Sequence, residues 1–186
     1  IRPPYIPLPE QVRYIKKQSF LSGFLTTQKR PLTALEITHL FANFDSNILG
    51  ETFMIGFAQV AESKEVREYI WRGKQIAEKH KLIFSEKLTE DNVPSPSPWD
   101  SGVTKSKQSP FSDKAILFLI SFLSASGVGN YGMAMAGSPR RDIALIYERL
   151  KIEIGLFAED GANLLIKNGW LEEPPQSVNR QQLANL

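Results

Sequence analysis

Cysteine is absent from all 186 residues, which excludes a disulfide framework, a thiolate metal site and a cysteine nucleophile. A marked excess of one charge is also absent, because 22 lysines and arginines face 20 aspartates and glutamates, for a formal net charge of +2. A chain so close to balance lacks the strong positive field of a nucleic-acid-binding protein, so we expect no nucleic-acid partner. Three short basic runs are interpreted as solvated faces: Lys16-Lys17, Lys29-Arg30 and Arg140-Arg141.

Sequence signatures of catalysis are also lacking. The chain has no GxSxG, HExxH or GKS/GKT pattern, and Gly127, Gly129 and Gly132 lie inside a predicted helix rather than in a phosphate-binding turn. An enzymatic role is therefore not favoured, and no catalytic residue is predicted. The start, Ile1-Arg-Pro-Pro4, has neither the apolar core nor the cleavage site of a signal peptide. We expect a cytoplasmic protein, and we interpret the chain as a piece of a longer one.

Charged side chains are missing altogether from Ala115 to Pro139, a stretch bounded by Lys114 and by Arg140-Arg141. A helix that is apolar on every side either spans a bilayer or lies in the middle of a protein. Serines and glycines interrupt this stretch and its neighbours are amphipathic, so we predict a buried central helix, and a membrane location is not favoured. Small residues recur at steps of three or four, on a face that another helix can approach closely: Ser121, Ala125, Gly129, Gly132 and Ala136.

Four long helices are predicted from the spacing of apolar residues and from capping signals. Helix one is expected from about Thr33 to Ala61, because Thr33 and Glu36 have the spacing of a capping box. The other boundaries are expected at Ser63 for the start of helix two, Ser112 for helix three, Ser138-Pro139 for helix four, and Asn168-Gly169 for its end.

The connections between these helices predict the architecture. A very short link makes helices one and two an antiparallel hairpin, and helices three and four form a second one. The proline-rich segment from Asp91 to Pro110 is long enough to return along the whole bundle. Two hairpins joined by a long crossover predict an all-α, ferritin-like four-helix bundle over residues 32–171. Residues 1–31 are expected to form an extended arm with a short helix near Glu10–Leu21, and residues 172–186 a tail.

A dinuclear metal site of the ferritin-like type is not supported. Such sites take a glutamate from each of two helices and a Glu-x-x-His motif from each of the other two. Glu36-Ile-Thr-His39 has the required spacing. Helix three, however, offers no carboxylate or histidine after Asp113, and helix four offers no histidine. A complete site therefore cannot be assembled.

A smaller site around His80 is the alternative. His80 lies on the apolar stripe of helix two, and we interpret it first as a core histidine hydrogen-bonded to an asparagine, a tyrosine or a carboxylate. The second interpretation is a single metal ion bound by His80 with Glu36, His39 or an acid of helix four such as Glu153 or Asp160. Glu36 is also explained as the capping-box partner. No other cofactor is expected.

The pairing of the hairpins also predicts which polar residues share a level of the bundle. If each hairpin is aligned about its turn, Asp45 to Asn47 lie near the level of His80. Asn130-Tyr131 then lie near Tyr147-Glu148. We expect these levels to coincide and to form one polar cluster.

Several segments resemble a known but uncharacterised family. They are Ile1–Glu10, Pro31–Asn43, Gly129–Gly132, and Glu159–Asn163 together with Asn168-Gly-Trp170. The family comes from spore-forming Firmicutes, and its members are described as spore-coat-like proteins of unknown function. The resemblance covers nearly the whole chain. It implies a ferritin-like four-helix unit, commonly present twice in tandem, and a spore-associated setting, but it brings no active site.

Three functional hypotheses follow from the sequence. The first is a non-catalytic structural or interaction module, in a spore-related role, whose partner is a second copy of the bundle in tandem or in a homodimer. The second is a divergent metal-binding protein or enzyme that uses a partial site around His80. The third, peripheral membrane association, is the least favoured.

Overall fold

The computed structural model of the chain describes residue 7 and residues 11–24, 29–97 and 102–184. Within these residues every regular element is helical, and no strand occurs. The predicted all-α class is therefore confirmed, while the ferritin-like assignment stays a prediction. The arm expected at residues 1–9 lies outside the described residues apart from residue 7. The helices are α1 (Ala34–Val60), α2 (Lys64–Glu90), α3 (Asp113–Ala136), α4 (Arg141–Lys167) and a short exposed α5 (Arg180–Ala184).

The starts of α1, α2 and α3 follow the capping chemistry in the sequence. The Glu36 amide donates to the Thr33 hydroxyl at 3.2 Å, and the Thr33 amide donates to the Glu36 carboxylate at 2.8 Å. The predicted capping box is thus confirmed. Ser63 and Ser112 accept from the amides of the first turns of α2 and α3. These side chains pair amides that would otherwise have no partner inside the helix.

The end of α4 is also as predicted. Gly169 has a φ of +67°, a left-handed conformation that glycine adopts without a steric cost. Its amide bonds to the Ile166 carbonyl and the Trp170 amide to the Leu165 carbonyl, both at 2.9 Å. This pair of bonds is the Schellman motif, which stops a helix.

The predicted start of α4 at Ser138-Pro139 is wrong. The Ser138 hydroxyl donates back to the Ala134 carbonyl at 2.7 Å and so belongs to the end of α3. The helix begins at Arg141, and no side chain caps it from the adjacent residue, Arg140. The Arg140 amide instead donates to the Glu36 carboxylate at 2.9 Å, a partner 104 residues away.

The crossover between α2 and α3 runs the length of the bundle, as predicted. At one end the Asp91 carboxylate accepts the Leu32 amide, beside the start of α1. At the other end Asp113 accepts the amides of Glu62 and Ser63, at 3.0 and 2.8 Å, beside the α1–α2 turn. Because the crossover joins opposite ends, α2 and α3 run parallel, and each is antiparallel to its hairpin partner.

The core is divided into two apolar clusters, one toward each end of the bundle. The first lies near the start of α1 and includes Leu40, Phe84 and Leu150. The second lies near the α1–α2 turn and includes Ile70, Ile120 and Phe157. Polar residues occur at the level where the two clusters meet, and we refer to this level as the polar waist: Asn47 of α1, His80 of α2, Ser124 of α3 and Glu153 of α4.

The short helix expected near Glu10–Leu21 is wrong for most of its length. Only Gln18–Leu21 is helical, as a single 3₁₀ turn, and Gln11 to Lys17 has no regular secondary structure. Val12 and Ile15 are 81% and 63% exposed. An isolated short helix is marginal in water unless it buries an apolar face, and this segment buries none.

Candidate functional site

A buried ionic cluster closes the end of the bundle at which α1 and α4 begin. Glu36 is fully buried, and the Arg30 guanidinium donates to its two oxygens at 2.8 and 2.9 Å. The same carboxylate accepts the amides of Thr33 and Arg140. Burial alone would raise the pKa of Glu36, but the bonds from Arg30, Thr33 and Arg140 hold that pKa below its ordinary value. Both oxygens are occupied, so this carboxylate anchors the structure.

Arg140 is the second centre of the cluster. It is 1% exposed and donates to both oxygens of Asp142, at 3.0 and 2.8 Å, and to the Arg30 carbonyl at 3.1 Å. Asp91, at the end of α2, lies 3.5 Å from its guanidinium. The interpretation of Lys29-Arg30 and Arg140-Arg141 as solvated faces is therefore wrong for Arg30 and Arg140, whose partners include groups on distant segments.

Asn47, His80 and Glu153 of the polar waist form one hydrogen-bonded network with Tyr131. His80, at its centre, is fully buried. The Asn47 amide donates to the Tyr131 hydroxyl at 2.7 Å. The Tyr131 hydroxyl lies 3.1 Å from His80 Nδ1, and His80 Nε2 lies 3.1 Å from the Glu153 carboxylate. Tyr147 packs its ring against that of Tyr131 at 5.8 Å. The predicted coincidence of these levels is confirmed, as is the interpretation of His80 as a core histidine with a tyrosine and a carboxylate as partners.

The bonding pattern assigns the proton on the His80 ring. Burial would raise the pKa of Glu153, but hydrogen bonds from Lys79 and His80 hold it below its ordinary value, so the carboxylate is ionised at neutral pH. An ionised carboxylate can only accept, so His80 Nε2 carries the proton and Nδ1 accepts from the Tyr131 hydroxyl. Burial lowers the pKa of His80, more than Glu153 raises it. The imidazole is therefore neutral and its hydrogen bonds are satisfied.

The predicted metal ligands lie in three different places. Glu36 belongs to the ionic cluster, and His39, one turn further along α1, lies against the α3–α4 turn. His80 meets Glu153 in the polar waist, whereas Asp160 forms an exposed ion pair near the far end of α4. Among the described residues, no three histidine, aspartate or glutamate side chains are grouped so that they could hold a metal ion.

The outer face of α3 is exposed and uncharged. Its large side chains include Phe122 at 70% exposed, Met133 at 65% and Phe118 at 40%. The prediction of a buried central helix is therefore wrong for this side of α3. α3 packs mainly on α4 and only along an edge on α1, so one side is left open. Its exposed positions form a continuous stripe without charge, which we call the α3 face: Ala115, Phe118, Leu119, Phe122, Ala125, Ser126, Gly129, Met133 and Ala136.

α3 is also the one helix, within the described part of the chain, whose length and apolar composition would allow it to cross a membrane. Only 28% of its most apolar window is buried inside the bundle. One helix of this kind, selected by length and composition alone, is weak evidence for a membrane protein. A membrane location is not indicated.

The fold and its polar groups define a class: an all-α protein of two helical hairpins, with a structural ionic cluster at one end and a hydrogen-bonded network around His80 in its middle. The chain belongs to the family of proteins of unknown function DUF3231, which matches residues 22–183. This agrees with the family resemblance in the sequence.

Comparison with solved structures supports the fold. A protein of Bacillus halodurans C-125 described as a putative spore coat protein superposes with a TM-score of 0.75 at 21% identity, over 81% of this chain and 98% of that chain. At this level of identity the likeness shows a shared fold and nothing finer. No curated protein matches the chain.

Proposed function

We propose that the chain is a non-catalytic structural and interaction module that associates with a second copy of its own bundle through the α3 face. The observation that carries this proposal is the α3 face itself, which leaves large apolar side chains in water along a whole helix. Exposed apolar surface of this extent is typical of interaction sites.

The order of residues on the α3 face favours a second copy as the partner. A two-fold axis at the midpoint between Ala125 and Ser126 places Phe122 of one copy opposite Gly129 of the other. The same axis places Phe118 opposite Met133. Large side chains thus meet small ones near the centre, and a ring meets a thioether further out, a favourable contact. An interface between identical copies must be self-complementary in this way.

The size of the face indicates how tight the association is. α3 has 24 residues and is about 36 Å long, so a stripe roughly 10 Å wide offers on the order of 400 Å² per copy. A standard stable interface buries about 800 Å² per partner. We therefore infer a weak association between separate chains. Linking two copies in one chain raises their effective concentration into the millimolar range, which matches the tandem arrangement that the family resemblance implies.

A spore-related role agrees with this module. The Bacillus halodurans protein of the same fold is described as a putative spore coat protein, and a coat is an assembly of many protein copies. A small bundle with an uncharged lateral face is suited to such an assembly.

Sedimentation velocity of the intact chain tests the proposal. We expect the average sedimentation coefficient to rise with concentration into the high micromolar range, and Phe122→Glu to abolish that rise. Leu82→Glu is the matched control, because Leu82 is 62% exposed on α2, away from the α3 face. A wild-type chain that stays monomeric throughout contradicts the proposal. So does binding of the wild type, but not of Phe122→Glu, to phosphatidylcholine vesicles without self-association, which assigns the face to membranes.

The alternative, a divergent metal-binding protein or enzyme, has one observation in its favour. His80 and Glu153 are a histidine and a carboxylate from facing helices with their polar atoms 3.1 Å apart. Lys79 binds the same carboxylate at 2.8 Å and would have to be displaced by a metal ion. Elemental analysis of protein purified without added metal separates the two functions. Stoichiometric iron, zinc or manganese that is lost in His80→Gln supports the metal-binding alternative.

A further inference from the structure

The polar waist contains a cavity of about 240 Å³ between the two apolar clusters. All four long helices line it. Its rim includes Leu49 of α1 and Ser126 of α3, both exposed, so it opens between these two helices. Apolar walls come from Met54, Ile154 and Phe157. The cavity does not include the α3 face residues that carry the proposed association, apart from Ser126 at the rim.

Small residues line this space, and Gly50 leaves room on the α1 side. Beside Gly73 and Gly127 the corresponding room is occupied by Phe157 and Ile154. Gly50 of α1, Gly73 and Ala77 of α2, and Gly127 of α3 all line the cavity. A Cβ atom on Gly50 would meet no atom within 4 Å. Interiors are normally packed to crystal-like density, so a concentration of small residues around one void is unusual for a core.

Polar groups with unused hydrogen-bonding capacity face this space. Ser124 is 7% exposed, and within the described residues its hydroxyl has no hydrogen-bond partner. The side-chain amide of Asn130 likewise has none there. Asn47 spends its amide hydrogens on the Asn43 carbonyl and the Tyr131 hydroxyl, which leaves its side-chain carbonyl as an acceptor. Ser124 is buried, and Asn47 and Asn130 are half-buried. All three line the cavity, so each can form a hydrogen bond with a ligand in it.

The lining carries no formal charge. Tyr131 is its one ionisable side chain, and burial raises the pKa of Tyr131 far above neutrality. A charged ligand would therefore lose its hydration without finding a counter-charge. A neutral molecule with an apolar body and one polar group loses much less.

We propose that this cavity binds a neutral, mostly apolar ring compound with a single hydrogen-bonding group, of the phenol or indole class. An apolar cavity of about 150 Å³ is enough for benzene, so the larger space here accommodates a substituted or fused ring. The apolar walls contact the ring, and the Asn47 carbonyl, Ser124 hydroxyl and Asn130 amide are within the same cavity to receive its O–H or N–H. This inference is independent of the proposed self-association.

Calorimetric titration of the intact chain with indole tests the proposal. We expect saturable binding of one indole per chain and at least tenfold weaker binding of indole-3-carboxylate, whose charge the lining cannot compensate. Gly50→Leu fills the space from α1 and should weaken indole binding at least tenfold. It also removes a glycine from a helix interior, which favours the folded state.

The control is Gly155→Leu, the same change at an exposed helix position where a Cβ also meets no atom within 4 Å. It should leave indole binding unchanged. Thermal melts of Gly50→Leu and Gly155→Leu establish that both variants are folded. Ser124→Ala is a further variant, which removes a polar group from the cavity without adding bulk. The proposal is overturned if indole and phenol both fail to bind. It is also overturned if Gly50→Leu and Gly155→Leu bind indole equally, or if the carboxylate binds as well as indole.

Discussion

Replacing Glu36 with alanine should be among the most destabilising single changes in this bundle. The carboxylate is fully buried and accepts from the Arg30 guanidinium, the Thr33 amide and the Arg140 amide. Glu36→Ala leaves a guanidinium that is only 14% exposed without its counter-charge, and leaves the Arg140 amide unpaired. Breaking one side of a buried ion pair costs about 3–5 kcal/mol.

Urea unfolding followed by circular dichroism at neutral pH measures this cost. A free energy of unfolding of about 5–15 kcal/mol is usual, so the loss is a large fraction of the total. For a chain of 186 residues we expect the melting temperature to fall by roughly 6–20 °C, at about 2–4 °C per kcal/mol. Glu36→Gln keeps one accepting oxygen but no charge, and should fall between the wild type and Glu36→Ala.

The control for Glu36→Ala is Glu65→Ala. Glu65 pairs with Lys167 at 2.7 Å, but its side chain is 51% exposed, and exposed pairs contribute about 0–1 kcal/mol. If Glu36→Ala loses no more stability than Glu65→Ala, the cluster does not anchor the bundle and the reasoning is refuted.

Three further predictions concern single residues in the core and at a helix end. Burial lowers the pKa of His80 below its ordinary 6.5, so the stability gained from the neutral ring is complete above that pH and declines as the pH falls below it. In urea titrations at a series of pH values, His80→Gln should remove this decline in the free energy of unfolding. The losses of stability due to protonation of Glu36 and Glu153 should remain, at lower pH, because the pKa values of both are held below 4.5. If the dependence of stability on pH is the same in His80→Gln as in the wild type, the imidazole is not buried and neutral. Gly73→Ala should destabilise by about 1–3 kcal/mol, because its Cβ would lie 2.6 Å from the Phe157 ring, whereas Gly155→Ala should be neutral or stabilising; equal melting temperatures would contradict this. Gly169→Ala should cost roughly 1 kcal/mol in melts, since its φ of +67° strains any residue with a Cβ, and a gain in stability would show that the helix end rearranges.

Much of the fold could be predicted because the relevant chemistry is local. Thr33, Ser63 and Ser112 pair with amides three residues away, and Gly169 acts within its own turn. These signals lie within four residues of sequence and need no tertiary information. The crossover was likewise predictable from its length and its prolines.

The wrong predictions involve partners that are distant in sequence. In the sequence Arg140 belongs to a short basic run. In the structure its backbone amide donates a hydrogen bond to Glu36, which lies 104 residues away. That same contact replaces the Ser138 cap expected for α4. The waist was predictable in part, since the level of His80 could be aligned with Asn47. The cavity beside it was not, because it depends on where small residues of α1, α2 and α3 meet.

The α3 prediction failed for a different reason. An uncharged helix has no charged side that shows which part of its surface faces water. Its composition therefore predicts that other apolar groups cover it, but not whether those groups belong to the same bundle. The structure shows that α1 and α4 cover only one side of α3, and that the α3 face is exposed.

Disulfide trapping tests the proposed association through the α3 face most directly, because the chain has no cysteine of its own and covalent capture detects even weak association. Ala125→Cys lies next to the proposed two-fold axis and should form a disulfide-linked dimer under mild oxidation. Phe118→Cys and Met133→Cys should each crosslink poorly alone but efficiently when mixed. If Ala125→Cys crosslinks no faster than Leu82→Cys on α2, the α3 face is not where two copies meet.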